Sequence, residues 1–244
     1  MNSYFLVTLL LLLIIMFNYY LFYWSFHKRE RQNERFSNNN HEPFSLILLG
    51  DSVLQNKLYA TESQDVYTLL KERKDNNNIQ SYAVDNSKIV DVYSQIDNLP
   101  FDLNSNTFIF LSIGGNDLLS ATDNGTKDTL EPTFLGPIFA AYKNLIKSIR
   151  VRAPNVNLVL LDIYYPYGIK YQAFYPIIKK WNNLLYSFVE DREKRELTNL
   201  IGLLKISSIL TDKSDFTLGI EPSDTGGQKI ANSITTYLAN HQYD

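Results

Sequence analysis

The chain has 244 residues, 45% hydrophobic and 20% charged, with a formal net charge of −3. That length accommodates one α/β domain and an appendage, and the slight negative balance lacks the basic footprint that phosphate backbones require, so no nucleic-acid partner is expected. Without cysteine there are no disulfides, thiolate nucleophiles or Cys-ligated metals, and three scattered histidines do not make a metal site. Neither a metal nor a cofactor is expected.

From Tyr4 to Trp24 the chain carries no charge and is dominated by Leu, Ile, Phe and Tyr, which is the length a helix needs to cross a bilayer. Tyr19, Tyr20, Tyr23 and Trp24 crowd one end, as an interfacial aromatic belt does. A cleaved signal peptide would carry a basic start and a small-residue cleavage site, and neither precedes Phe26. Residues 1–26 are therefore read as a single-pass membrane anchor. Lys28, Arg29, Arg31 and Arg35 follow it, which by the positive-inside rule puts the C-terminal part in the cytosol. The sequon Asn124-Gly125-Thr126 points weakly the other way.

Residues 27–43, HKRERQNERFSNNNHEP, are polar and end on a proline, as a juxtamembrane linker does. From residue 44 to residue 244, apolar runs alternate with segments of helical period. Strands are expected at 45–50, 79–84, 107–113, 157–163 and 200–206, nearly all apolar and so covered on both faces. Helices are expected at 65–74, 88–96, 138–152, 177–197 and 225–239. Strict alternation implies a three-layer α/β/α domain with a central parallel sheet. Right-handed crossovers bring every strand's C-terminal end to one rim, where open sheets of this kind bind ligands.

Three polar clusters fall on that rim: Gly50-Asp51-Ser52, Gly114-Gly115-Asn116-Asp117 and Glu221-Pro222-Ser223. Each alone is compatible with an ordinary turn. Two glycines after a strand let backbone approach a ligand closely, and the amide of Asn116 is a suitable donor to a developing oxyanion. The segment DIYYPY, 162–167, follows the fourth strand and is open to two readings: a wall of an acyl or leaving-group pocket, or aromatic packing.

In order and spacing these clusters resemble the GDSL, or SGNH, hydrolase family of esterases and lipases on a flavodoxin-like α/β/α fold. LLGDSVL resembles the family's first block and implies Ser52 as nucleophile, its own N–H in the oxyanion hole, with Gly50 and Asp51 in support. LSIGGNDLL resembles the third block and implies Asn116 as a side-chain oxyanion donor, supported by Gly114, Gly115 and Asp117. YAVDNSKIVDV is similar to the second block, but Asn86 stands where the family has glycine; its backbone N–H remains, and asparagine tolerates positive φ better than most residues. IEPSDTGGQKIA is similar to the last block, in which a D-x-x-H-P-S pattern supplies the catalytic Asp and His. Pro222, Ser223 and Gly226 fall in place, whereas Leu218 stands for the Asp and Glu221 for the His.

No other histidine replaces the missing one. His41 precedes the strand that leads to Ser52, and the eleven residues between them span up to about 35 Å when extended. His241 ends a helix that starts at the active rim, which leaves it more than about 20 Å away at roughly 1.5 Å per residue. His27 belongs to the membrane end. The proton acceptor for Ser52 is therefore Glu221 or nothing. A free carboxylate starts roughly two pKa units below imidazole, and burial would raise it toward a useful value. The competing reading makes Glu221 a cap of the following helix.

The expected function is that of a membrane-anchored serine ester hydrolase acting on a small-molecule or lipid ester. The alternative is a catalytically inactive domain of the same fold that binds a ligand or protein partner at the same rim. A flavodoxin-like binding domain is a third reading, without a phosphate-cradling glycine loop to support it. Substrate identity and oligomeric state are not encoded in any motif found.

Overall fold

The computed structural model describes residues 44–73, 78–123, 133–193 and 201–241. The expected anchor at 4–24 and the linker at 27–43 lie outside them. Among the described residues no helix is long and apolar enough to cross a membrane.

Five strands, β1 (Ser45–Gly50), β2 (Asn78–Ser81), β3 (Thr107–Ser112), β4 (Asn157–Leu161) and β5 (Ile201–Leu204), form one parallel sheet in the order β2-β1-β3-β4-β5. This is the flavodoxin-like order, with its switch point between β1 and β3. Among the described residues six α-helices accompany it: α1 (Val66–Arg73), α2 (Val92–Asp97), α3 (Gly115–Asp123), α4 (Leu135–Arg152), α5 (Tyr175–Glu193) and α6 (Asp224–His241).

Period-two alternation divides the strand side chains between two cores. Ile47, Leu49, Ile109, Leu111, Leu158 and Leu160 pack on one face against α2, α4 and α5, around the fully buried Trp181 and Tyr142. Leu46, Leu48, Phe108, Phe110, Val159 and Leu161 pack on the other against α1 and α6. Both faces are covered, which is why these strands read as continuous apolar runs.

The expected elements need several corrections. β2 ends at Ser81 rather than 84, yet the chain keeps beside β1, with the N–H groups of Tyr82 and Val84 donating to Leu48 and Gly50 at 2.9 and 3.0 Å. The expected helix at 88–96 begins only at Val92. The Asp91 carboxylate accepts the Lys88 N–H at 2.8 Å, and this side-chain turn competes with helix. GGND is not only a turn, because Gly115 opens α3. A small antiparallel hairpin, β6 (Phe216–Thr217) and β7 (Glu221–Pro222), was not expected. β4 and β5 are shorter than their apolar runs, and the end of the expected helix at 194–197 lies outside the described residues.

Candidate active site

Ser52 follows β1 through a turn that only glycine permits. Gly50 has φ +123°, and a Cβ there would lie 1.7 Å from the Ser112 carbonyl oxygen on the adjacent β3. Gln95 of α2 secures this bend: it accepts the Gly50 N–H at 2.8 Å and donates to the Gly50 carbonyl at 2.9 Å. The chain then enters a single helical turn, with the Gln55 N–H donating to the Asp51 carbonyl at 3.0 Å. Ser52 lies in its first residues, and among the described residues no protein group accepts its backbone N–H.

Asp51 is buried behind the serine. Its Oδ1 accepts the Val53 N–H at 3.2 Å and the Ser112 hydroxyl at 3.0 Å. Burial pushes its pKa up to about 7, with the charge of Glu221 raising it further and these two hydrogen bonds opposing.

Asn86 occupies the left-handed conformation, φ +58°, in an exposed turn reached because the chain follows β1 to Val84. Its N–H likewise has no protein acceptor among the described residues. Asn116, in the first turn of α3, donates its side-chain amide to the Ser87 carbonyl at 2.9 Å, and Asp117 accepts the Ile89 N–H at 3.1 Å. These two bonds hold the 86–89 turn against α3. One amide hydrogen of Asn116 is thereby used, and the other remains for a ligand. Gly114, φ +113°, serves packing rather than ligand approach, since a Cβ would meet the Trp181 ring at 2.6 Å. Gly115 borders the cleft, with open space where its Cβ would be.

Glu221 begins β7 and lines the same cleft as Ser52 and Asn116. Burial raises its pKa above the ordinary carboxylate value; the nearby Ser52 hydroxyl pulls it down, and the negative charge of Asp85 raises it again. Its Oε2 is buried without a hydrogen-bond partner. Glu221 does not cap α6. Ser223 does so, its Oγ accepting the Gly226 N–H at 3.3 Å and its carbonyl accepting the Gly227 N–H at 2.7 Å.

Leu218, at the position of the family aspartate, is 73% exposed in a left-handed turn with φ +52°. His241 stacks on Tyr237 at 4.0 Å at the far end of α6, and His27 and His41 lie outside the described residues. No described imidazole reaches the serine.

Several contributors were not anticipated from sequence. Buried Asn56 donates to the Pro222 carbonyl at 3.4 Å while accepting the Val66 N–H at 2.8 Å, and so ties the Glu221 strand to the start of α1. Thr61 grips Asp224 through its N–H at 2.7 Å and its hydroxyl at 2.8 Å. Tyr164 donates to the Ile220 carbonyl at 2.7 Å; burial, then Glu221 and Asp51, hold its hydroxyl well above the usual phenol range, so it stays neutral. Tyr59 donates to Asp85 at 3.1 Å, and burial, followed by the charge of Glu221, raises its phenol to about 12. Of the DIYYPY segment, Asp162, Ile163, Tyr164 and Pro166 border the cleft, while Tyr165 packs edge-on against Tyr175. Among the described residues no group of His, Asp or Glu side chains is arranged to hold a metal ion.

No protein-family model and no curated protein matches the chain. Solved structures do match. A member of the lipolytic protein G-D-S-L family from Veillonella parvula DSM 2008 superposes with a TM-score of 0.59 at 13% identity, over 79% of this chain and 97% of that one. Phospholipase A1 from Streptomyces albidoflavus NA297 gives 0.58 at 15% identity, over 80% and 99%. The Clostridium thermocellum family 3 carbohydrate esterase gives 0.57 at 22% identity, over 82% and 98%. The described domain therefore has the SGNH-type hydrolase fold, that of lipolytic enzymes and esterases.

Proposed function

We propose that the protein is a serine ester hydrolase that works without histidine. The observation that carries this reading is that the Ser52 hydroxyl and the half-buried carboxylate of Glu221 border one cleft, close enough for the hydroxyl to lower the carboxylate's pKa, with the Asn116 amide on the same cleft and the Ser52 N–H without a protein acceptor among the described residues. Ser52 Oγ attacks the ester carbonyl carbon as its proton passes to Glu221. The oxyanion is held by the N–H groups of Ser52 and Asn86 and by the Asn116 side chain. The carbon–oxygen bond to the alcohol then breaks, and Glu221 returns the proton to the departing alkoxide. Water repeats the sequence on the acyl-enzyme, releasing the acid and restoring the serine. Burial compensates for the low intrinsic basicity of a carboxylate, because desolvation raises its proton affinity.

Anchoring through residues 4–24, with the domain on the cytosolic side, is proposed from the sequence alone. The hydrolase reading is tested with p-nitrophenyl esters and the full-length chain. Turnover that disappears in Ser52→Ala is the expected result, whereas turnover equal in wild type and Ser52→Ala, or absent from both in a folded protein, would leave the inactive binding domain in its place.

A further inference from the structure

We infer that the cleft beside Ser52 is a subsite for the acyl chain, and that the substrates are esters of medium-length, unbranched carboxylic acids rather than acetyl esters; this rests on the serine hydrolase reading. The cleft runs from Ser52 between α3 and the 162–178 segment. Its walls are Ile113, Leu118 and Leu119 on one side and Ile163, Phe174 and Ile178 on the other.

Away from the serine, two of the polar groups that border those walls, Asp162 and Tyr164, are already engaged. Asp162 accepts the Ser207 N–H at 2.9 Å through Oδ1, and its Oδ2 accepts the hydroxyls of Ser207 and Tyr186. The Tyr164 hydroxyl is committed to the Ile220 carbonyl. A sugar hydroxyl or a phosphate set among these apolar walls would lose its water and, beyond the Tyr171 hydroxyl and the groups beside the serine itself, find few new partners, which disfavours it. An alkyl chain loses nothing polar and gains burial.

The apolar track continues outside. Tyr171, on the cleft wall, packs where Gly168 and Gly219 meet, and the Gly168 N–H donates to the Gly219 carbonyl at 2.8 Å. That contact joins the two loops whose next residues, Ile169 and Leu218, are 83% and 73% exposed. Leu218 holds a strained left-handed backbone while burying little of its side chain, so folding alone does not account for a leucine there. A chain longer than the cleft finds apolar surface at its exit.

The test uses uncharged, unreactive carbonyl probes with the full-length chain: calorimetric titration of 2-nonanone against 2-butanone, in wild type and in Leu119→Trp, which fills the cleft, and in Phe174→Ala, which widens it. Each buried methylene is worth about fourfold in affinity, so even half-burial of the longer tail predicts roughly 30-fold tighter binding of 2-nonanone. Leu119→Trp should reduce that ratio about tenfold or more. Equal affinities, or a ratio that neither variant moves, would overturn the acyl subsite. Labelling of Ser52 by a fluorophosphonate is measured alongside. Labelling without ketone discrimination removes the subsite alone, whereas discrimination without labelling removes the ester assignment and the hydrolase reading with it.

Discussion

The Ser52 hydroxyl lies close enough to the Glu221 carboxylate to lower a pKa that burial raises, and both side chains border one cleft. In the proposed mechanism the pair acts as a serine and its base, with a carboxylate where an imidazole is usual. Glu221→Gln keeps the shape and removes the basicity, and should lower kcat/KM for a p-nitrophenyl ester by about 10²-fold or more, read from steady-state kinetics. Adding Leu218→Asp to Glu221→His should bring less than about threefold over Glu221→His alone, because a side chain at 218 points largely into solvent and a screened carboxylate orients an imidazole poorly. A large synergy between the two changes would mean that residue 218 reaches the base.

Asp51 makes stability depend on pH. Its folded pKa is raised from 3.8 to about 7, so the folded state holds a proton that the unfolded state has released. The contribution is fully present below about pH 4 and is lost as pH rises toward 7; it amounts to something on the order of 4 kcal/mol. Urea denaturation of Asp51→Asn, which cannot ionise, should therefore show a flatter profile between pH 4 and 8 than wild type. The variant should be the more stable of the two at pH 8.

Gln95 is expected to matter for the nucleophile without touching it. In Gln95→Met the Gly50 carbonyl keeps the Val84 N–H as donor, but the buried Gly50 N–H loses its acceptor. One unpaired buried amide costs about 1–3 kcal/mol, readable as a lowered urea midpoint at unchanged slope. Fluorophosphonate labelling should slow as well, since the bend that presents Ser52 is loosened.

The expected topology is checked in microsomes. A C-terminal reporter should stay accessible to protease, and Asn124 should remain unglycosylated, given Lys28, Arg29, Arg31 and Arg35 after the uncharged span. A glycan on Asn124 would reverse the orientation.

The layer architecture was legible because doubly covered strands leave long apolar runs: four of the five strands fall within the expected runs, and β2 starts one residue before its own. α3 was not legible: it begins with Gly115, Asn116 and Asp117, residues whose local signal is a turn. The β6–β7 hairpin has two residues per strand, too few to carry a period. The polar scaffold of the site was hidden for a different reason. Gln95 lies 45 residues from Gly50, and Asn56 lies 166 from Pro222, so each looks like an ordinary polar residue until the fold brings its partner near. The helix-cap reading of Glu221 could be decided only from geometry, because Ser223 two residues on offers the same capping chemistry.

The most direct test of the account is mass-spectrometric mapping of fluorophosphonate labelling on the full-length chain. The expected result is a single adduct on Ser52 that is absent in Ser52→Ala, with slower labelling in Glu221→Gln and with labelling in wild type falling as pH drops through the raised pKa of Glu221. A folded wild-type protein with no adduct on Ser52, or one labelled at the same rate with and without the Glu221 carboxylate, would contradict it.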